Sequence, residues 1–244
     1  MVALVFAAPL AALVLRAVAD EWRAPALVPQ TIGTRGFEIA FGGGTASTAL
    51  ATSLLVACSS TLLALALGWP AARVLGERRL SRPGLVFVML AMPLLVPPYA
   101  IGSGLTEWFL RLGLAGTVLG LVLAHLVVVL PYVVVVLLSG FGSRLTELEE
   151  MAQTFGAGRV ARFAWVTVLS IRPTIAAAVL LGFLVSWSQY GSSLAVGAPR
   201  PLLPVVLVPF VGTDPQVAAT LALLSLAPAV LALVAATRLA RAPL

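Results

Sequence analysis

The sequence predicts an all-α, polytopic membrane protein of about six transmembrane helices with a helical loop on the cytoplasmic face. Composition carries the first argument: of 244 residues, 61% are hydrophobic and only 10% charged, where a soluble domain is charged at about a quarter of its positions. Mean hydropathy is +1.09. The third observation is that apolar runs of spanning length recur along the whole chain. These features exclude an ordinary cytosolic enzyme, a disordered tail and a nucleic-acid module. The isoelectric point near 11.0 comes from 15 basic residues, all of them arginine, placed in short loops between apolar runs. That placement suits topology signals rather than a phosphate-binding surface.

The apolar runs cover 2–19, 46–70, 84–101, 115–138, 173–195 and 216–237. Proline interrupts the third (Pro93, Pro97, Pro98), the fourth (Pro131) and the sixth (Pro228). It kinks a helix by removing a hydrogen bond, which membrane bundles tolerate where neighbours re-satisfy the freed carbonyl. The first run also ends in Ala17-Val18-Ala19, similar to a signal-peptidase site, but no arginine precedes it, so a retained helix is expected. Segments 71–83 and 139–172 and the C-terminal tail hold ten of the fifteen arginines. The positive-inside rule makes that side cytoplasmic and puts both termini there.

Between the spans, 20–45 carries Pro25, Pro29, Gly33, Gly36 and Gly42-Gly43-Gly44 and reads as an irregular outer loop. Segment 196–215 holds five prolines around the apolar run 205–208, too short to span, and reads as a re-entrant or interfacial piece. Cys58, alone in an apolar run, allows no internal disulfide or zinc cluster and is expected to be a small buried hydrophobe. The chain is read as one membrane domain over residues 1–244.

Loop 139–172 is where charge is dense. Leu145, Leu148, Ala152 and Phe155 recur at a 3, 4, 3 spacing and share a helix face. Gly156 stops that helix, since glycine takes a left-handed turn at no steric cost. A second helical stretch from Arg159 leads into the fifth span through Pro173. The acids Glu147, Glu149 and Glu150 disfavour anionic lipid as the partner of the first helix and favour a protein.

The loop resembles the EAA loop of ABC importer permeases. Glu150-Met151-Ala152 is followed after three residues by Gly156, and after nine more by Val166-Thr167-Val168. Met151 stands where that family has alanine, valine replaces its isoleucine and leucine, and Leu169 replaces its proline. The stretch 182–197, with Ser186-Trp187-Ser188-Gln189-Tyr190-Gly191, is similar to the fifth-helix segment of permeases for thiamine, polyamine, iron or sulfate-type anions. The resemblance implies a permease subunit in a bacterial inner membrane. It would pair with a second copy or a homologue, with ABC ATPase subunits and with an extracytoplasmic solute-binding protein. Residues 142–172 would then couple to the ATPase: Leu148, Ala152 and Phe155 filling a groove, Glu150 meeting polar or basic groups, Gly156 setting the angle. ATP would be bound and hydrolysed by the partner, because this chain has no phosphate-binding loop and no lysine.

Other chemistry finds little support. A secondary carrier or channel is the first rival; ion-coupled transporters usually place acids or histidines inside the membrane, and the centres of these runs hold no acid and the single His125. His125, midway in the fourth run, could relay protons, touch solute or hydrogen-bond a neighbouring helix. An intramembrane protease would need His125 to meet Ser53, Ser59 or Ser60. One histidine and one cysteine supply no metal site. Ser186, Trp187, Ser188, Gln189 and Tyr190 form the most polar cluster in any run, with Tyr99 a weaker companion. They are candidates for the translocation path, with Trp187 and Tyr190 able to stack on a cation. Anchoring at the lipid interface is the other reading of such aromatic residues.

Overall fold

The computed structural model describes residues 2–23, 25–77, 80–197 and 199–241, with side chains from residue 7 onward. Arg78 and Arg79, counted above for orientation, lie outside the described residues.

Among the described residues, three helices are unbroken and long and apolar enough to cross a membrane: α3 (Thr45–Gly76), α6 (Val118–Leu138) and α13 (Pro215–Arg241). α1 (Val2–Ala17) supplies a further apolar segment. The remaining two expected spans are bent rather than straight. The third is α4 (Pro83–Ala91), continued by a 3-10 turn to Leu95, followed by α5 (Pro98–Arg111) at 96°. The cause is local: a residue before proline is pushed to extended backbone, and both Val96 (ψ 130°) and Pro97 (ψ 136°) take it. The fifth is α10 (Arg172–Trp187), entered at 71° from a helical stretch over Arg159–Ser170. Beyond α10 the chain breaks at Ser188–Tyr190 and restarts as the short α11 (Gly191–Val196).

Segment 20–45 is more ordered than expected. β1 (Ala19–Glu21) and β2 (Thr31–Ile32) form a small antiparallel ladder, and α2 (Arg35–Gly42) follows. Gly36, which suggested a turn, is instead a contact point. A Cβ there would fall 2.7 Å from Thr220 Oγ1 on α13, so glycine is what lets α2 lie this close. The proline-rich segment holds the 11-residue α12 (Leu203–Thr213). Cys58 corrects the expectation of burial: it is exposed and lines an apolar groove between α3, α10 and α13.

The core forms where α3, α6 and α10 pack together. Ala64, Ala72, Val129, Val133, Val134, Leu137 and Ala178 are buried in it. A second cluster joins α3, α10, α12 and α13 through Ala57, Phe183, Leu203 and Leu221. Without a hydrophobic driving force in lipid, such helices associate through close packing and interhelical hydrogen bonds. Ser53 on α3 accepts the backbone N–H of Leu203 at 2.8 Å, supplying the first turn of α12 with a partner it lacks within its own helix.

At the end of α3 remote from Gly76, a polar clasp closes the bundle. The Arg35 guanidinium donates to both oxygens of Asp214 at 2.8 and 2.9 Å and to Gln216 Oε1 at 3.1 Å. Gln216 donates to Asp20 Oδ1 at 2.7 Å. The hydrogen bond from Arg35 holds the Asp214 carboxyl below the ordinary aspartate range, and the same contact raises the Arg35 guanidinium.

Candidate functional site: a tethered helix and a broken span

The opposite end of α3 carries the loop that the sequence singles out. α7 (Ser143–Thr154) starts earlier than the run of helix formers suggests. It ends at Phe155, and Gly156 takes φ 84°, the left-handed turn expected of it. The chain resumes as α8 (Arg159–Ala161), passes through a π-helical turn over Arg162–Thr167 and reaches α9 (Val168–Ser170). The bend into α10 exists although Leu169 occupies the position where the family pattern has proline.

The predicted apolar face of α7 divides its work. Leu145 is buried with Phe141 and Ile171. Leu148 is half-buried and lines a cleft beside the same two residues, so part of it is spent on the chain's own packing. Ala152 is half-buried. Glu150 is exposed, and Phe155 stands 90% exposed at the tip of the helix. With Met151, 53% exposed, Phe155 forms an apolar end with no covering from the rest of the described chain.

The acid that organises the loop is Glu149, not Glu150. Its carboxylate accepts from the guanidinium of Arg73 on α3 and from the hydroxyl of Thr167 in the π-helical turn. Arg73 also donates to Glu77 at 2.8 Å. Arg162 donates to Gln153 one turn further along α7. Trp69 packs edge-on against Phe141 (5.3 Å) and Phe163 (5.5 Å), so it is a joint between α3 and the loop. These contacts tie α7 and the stretch over 159–170 to α3 as one body. A cleft of about 420 Å³ lies between them, lined by Arg73, Glu149, Glu150, Arg159 and Arg162 among others. Glu149, Arg73 and Thr167 were not legible as partners, because 76 positions separate Glu149 from Arg73 and 18 from Thr167.

The polar cluster of the fifth span does not act as one surface. Ser186 and Gln189 are buried. Trp187 is also buried, stacked on Phe183 at 5.6 Å, with its N–H given to the Ser225 carbonyl at 3.0 Å. Its ring is therefore committed to the core and does not serve as a platform for a cation. Ser188, Tyr190 and Tyr99 are exposed. The last two lie close together, since a Cβ on Gly191 would fall 2.8 Å from the Tyr99 backbone nitrogen. His125 hydrogen-bonds Ser186 and Ser193 on neighbouring helices, at 2.8 and 2.9 Å. Both ring nitrogens are thus occupied by buried serines, and Ser53 is taken by the α12 backbone. This is helix-to-helix bonding, and the serines that His125 meets are Ser186 and Ser193 rather than Ser53, Ser59 or Ser60.

No protein-family model matches the chain. It is 33% identical over 171 residues to the ABC transporter permease protein ORF1 of Streptomyces antibioticus, covering 66% of this chain and 72% of that protein. It is 32% identical over 194 residues to the molybdenum transport system permease protein of Mycobacterium tuberculosis, covering 72% of this chain and 73% of that one. The solved structure of a bacterial ABC transporter involved in import of the acidic polysaccharide alginate superposes with a TM-score of 0.74 at 15% identity, over 97% of this chain and 91% of that one, a likeness of fold. Molybdenum, named for the second of these relatives, is absent from the substrates suggested by residues 182–197. Identity at this level over this share of the relatives shows that the chain belongs to the ABC transporter permeases and is a multi-pass, membrane-embedded transport subunit.

Proposed function

We propose that the chain is the permease of an importer for a tetrahedral oxyanion of the molybdate class, driven by separate ATPase subunits. The observation that carries the coupling half is the apolar tip of α7. Phe155 and Met151 project beside Glu150, on a helix that Glu149 fixes to α3. An exposed aromatic residue on a rigid arm suits insertion into a groove of a second protein. In this reading Leu148 and Ala152 line the arm, Gly156 sets its angle, and closure of two ATPase subunits on ATP moves the arm and tilts the spans. ATP is bound by the partner, and this chain supplies neither a cofactor site nor a catalytic residue. The arginine-rich end faces the cytoplasm together with both termini. A second copy or a homologue completes the path, and an extracytoplasmic binding protein delivers the solute.

The substrate half is supported by the relatives named for molybdenum transport and by chemistry. Molybdenum in neutral water is the molybdate dianion, which hydroxyl and backbone N–H donors can solvate without a buried cation. Tyr190 and Tyr99 present such hydroxyls at the broken spans, and Ser188, whose hydroxyl bonds the Val185 carbonyl at 3.3 Å, is exposed beside them. Ser186, Trp187 and Gln189 stand behind them and shape the path from within the core. Backbone that departs from a helix at membrane depth is tolerated where protein buries it or where it lines a water-filled cavity.

The test replaces Phe155 and Glu150 with alanine and measures recovery of the ATPase subunit in pull-downs alongside molybdate uptake. Loss of both is expected from Phe155→Ala. Unchanged recovery with unchanged uptake would overturn the coupling assignment. Uptake of the solute without any response to ATP depletion would favour a secondary carrier instead.

A further inference from the structure

The break at Ser188–Tyr190 is fastened by a buried hydrogen-bond relay that runs through four helices. His125 on α6 is 1% exposed. Its Nδ1 lies 2.8 Å from Ser186 Oγ on α10, and its Nε2 lies 2.9 Å from Ser193 Oγ on α11. The two ends of the relay set its polarity: Ser193 Oγ lies 2.7 Å from the Gln189 carbonyl and Ser60 Oγ 3.3 Å from the Ala57 carbonyl, so the shorter bond takes the hydrogen. The Ser193 hydroxyl has one hydrogen and gives it to the Gln189 carbonyl. Ser193 Oγ therefore accepts from His125, and Nε2 carries the ring hydrogen. Nδ1 of the neutral ring is then an acceptor, and Ser186 donates to it. Ser186 Oγ accepts in turn from Ser60 on α3 at 2.9 Å. Every donor points the same way, from Ser60 through Ser186 and His125 to Ser193 and the Gln189 carbonyl. Each buried hydroxyl and both ring nitrogens are used, which a site without water requires.

The relay ends on the element that carries the exposed tyrosines. α11 lies against α5 at backbone distance: a Cβ on Gly102 would fall 2.8 Å from Ser192 Cα. Thr106 Oγ1 on α5 lies 3.2 Å from the Ala195 carbonyl and shares its one hydrogen with the Gly102 carbonyl at 2.9 Å. Tyr190 at the start of α11 and Tyr99 at the start of α5 thus ride on one packed unit. His125 joins that unit to the spanning helices through its Nε2 hydrogen.

We infer that His125 is a positioning residue of the translocation path. It touches no solute but holds α11, and with it Tyr190 and Tyr99, in place through Ser193. The inference rests on the proposed path, and its test separates the two. The amide of asparagine reaches about as far from the backbone as Nδ1, and that of glutamine about as far as Nε2. His125→Asn can keep the Ser186 arm only, and His125→Gln can keep the Ser193 arm only.

In the assembled transporter carrying Cys58→Ser, a Tyr190→Cys reporter is labelled with a water-soluble thiol reagent. His125→Gln should label as the parent does. His125→Asn and Ser193→Ala should each change the labelling rate by roughly fivefold, the effect of losing one buried hydrogen bond. With Tyr190 restored, the same two variants should raise KM for molybdate uptake while His125→Gln leaves it near the parent value. Parent-like labelling in His125→Asn and Ser193→Ala overturns the inference, as does equal disturbance by Gln and Asn. Should His125→Asn fail to reach the membrane, Ser193→Ala decides alone by the same two readings. Labelling that follows this pattern in a transporter that takes up no molybdate leaves the positioning role standing and removes the oxyanion assignment.

Discussion

Glu149 and Glu150 are neighbouring acids with opposite surroundings. Glu149 turns inward to Arg73 and Thr167, and Glu150 faces out. Substituting them should therefore separate stability from coupling. Glu149→Ala removes charge-assisted hydrogen bonds from a mostly buried carboxylate and should cost roughly 1–3 kcal/mol in a thermal melt of the purified protein. Glu150→Ala should cost no more than about 0.5 kcal/mol by the same measurement while weakening ATPase recovery. Gly156 gives a cleaner test of geometry. Nothing lies within 4 Å of a Cβ built there, so space is not the constraint. The left-handed φ of 84° is, and Gly156→Ala should cost about 1–2 kcal/mol of local strain. ATP hydrolysis should continue with reduced uptake, read as a lower ratio of solute moved to ATP consumed.

Among the elements, α5 and α11 depend on small residues at their contact. Gly102→Val should drive the two apart, because even a Cβ would sit 2.8 Å from Ser192 Cα and 2.9 Å from Ala195 Cβ. Faster thiol labelling at the α11 end, with little change at α3, is the expected readout. Elements differ in how far the sequence discloses them. The spans of α3, α6 and α13 follow from apolar length alone, and the turn after α7 follows from glycine chemistry at Gly156. The helix α2 was hidden because Gly36 and Gly42 look like turn residues, while Gly36 serves contact with α13. The 96° corner between α4 and α5 was half visible: Pro93, Pro97 and Pro98 announce a distortion, but its size depends on extended backbone at both Val96 and Pro97. The relay through His125 was legible only as one polar residue in an apolar run, because its partners lie 61 and 68 positions away.

At the scale of the whole molecule, the clasp of Arg35, Asp214, Gln216 and Asp20 joins the segment after α1 to the junction of α12 and α13. Its pH dependence follows from sign. The Asp214 carboxyl titrates lower in the fold than in the unfolded chain. Its stabilisation is present above the ordinary aspartate value of about 4 and is lost as pH falls through the lowered folded value. The melting-temperature gap between the parent and Asp214→Asn should thus be steady near neutrality and close in acid below about pH 4. A gap that widened in acid would contradict the assigned pair. The bond from Leu203 N–H to Ser53 has a mechanical consequence. α12 is pinned at its first turn to α3 and just past its last residue, through Asp214, to α2, so it does not hang as an independent flap. α4, by contrast, contributes no buried residue and is the less constrained element during a transport cycle.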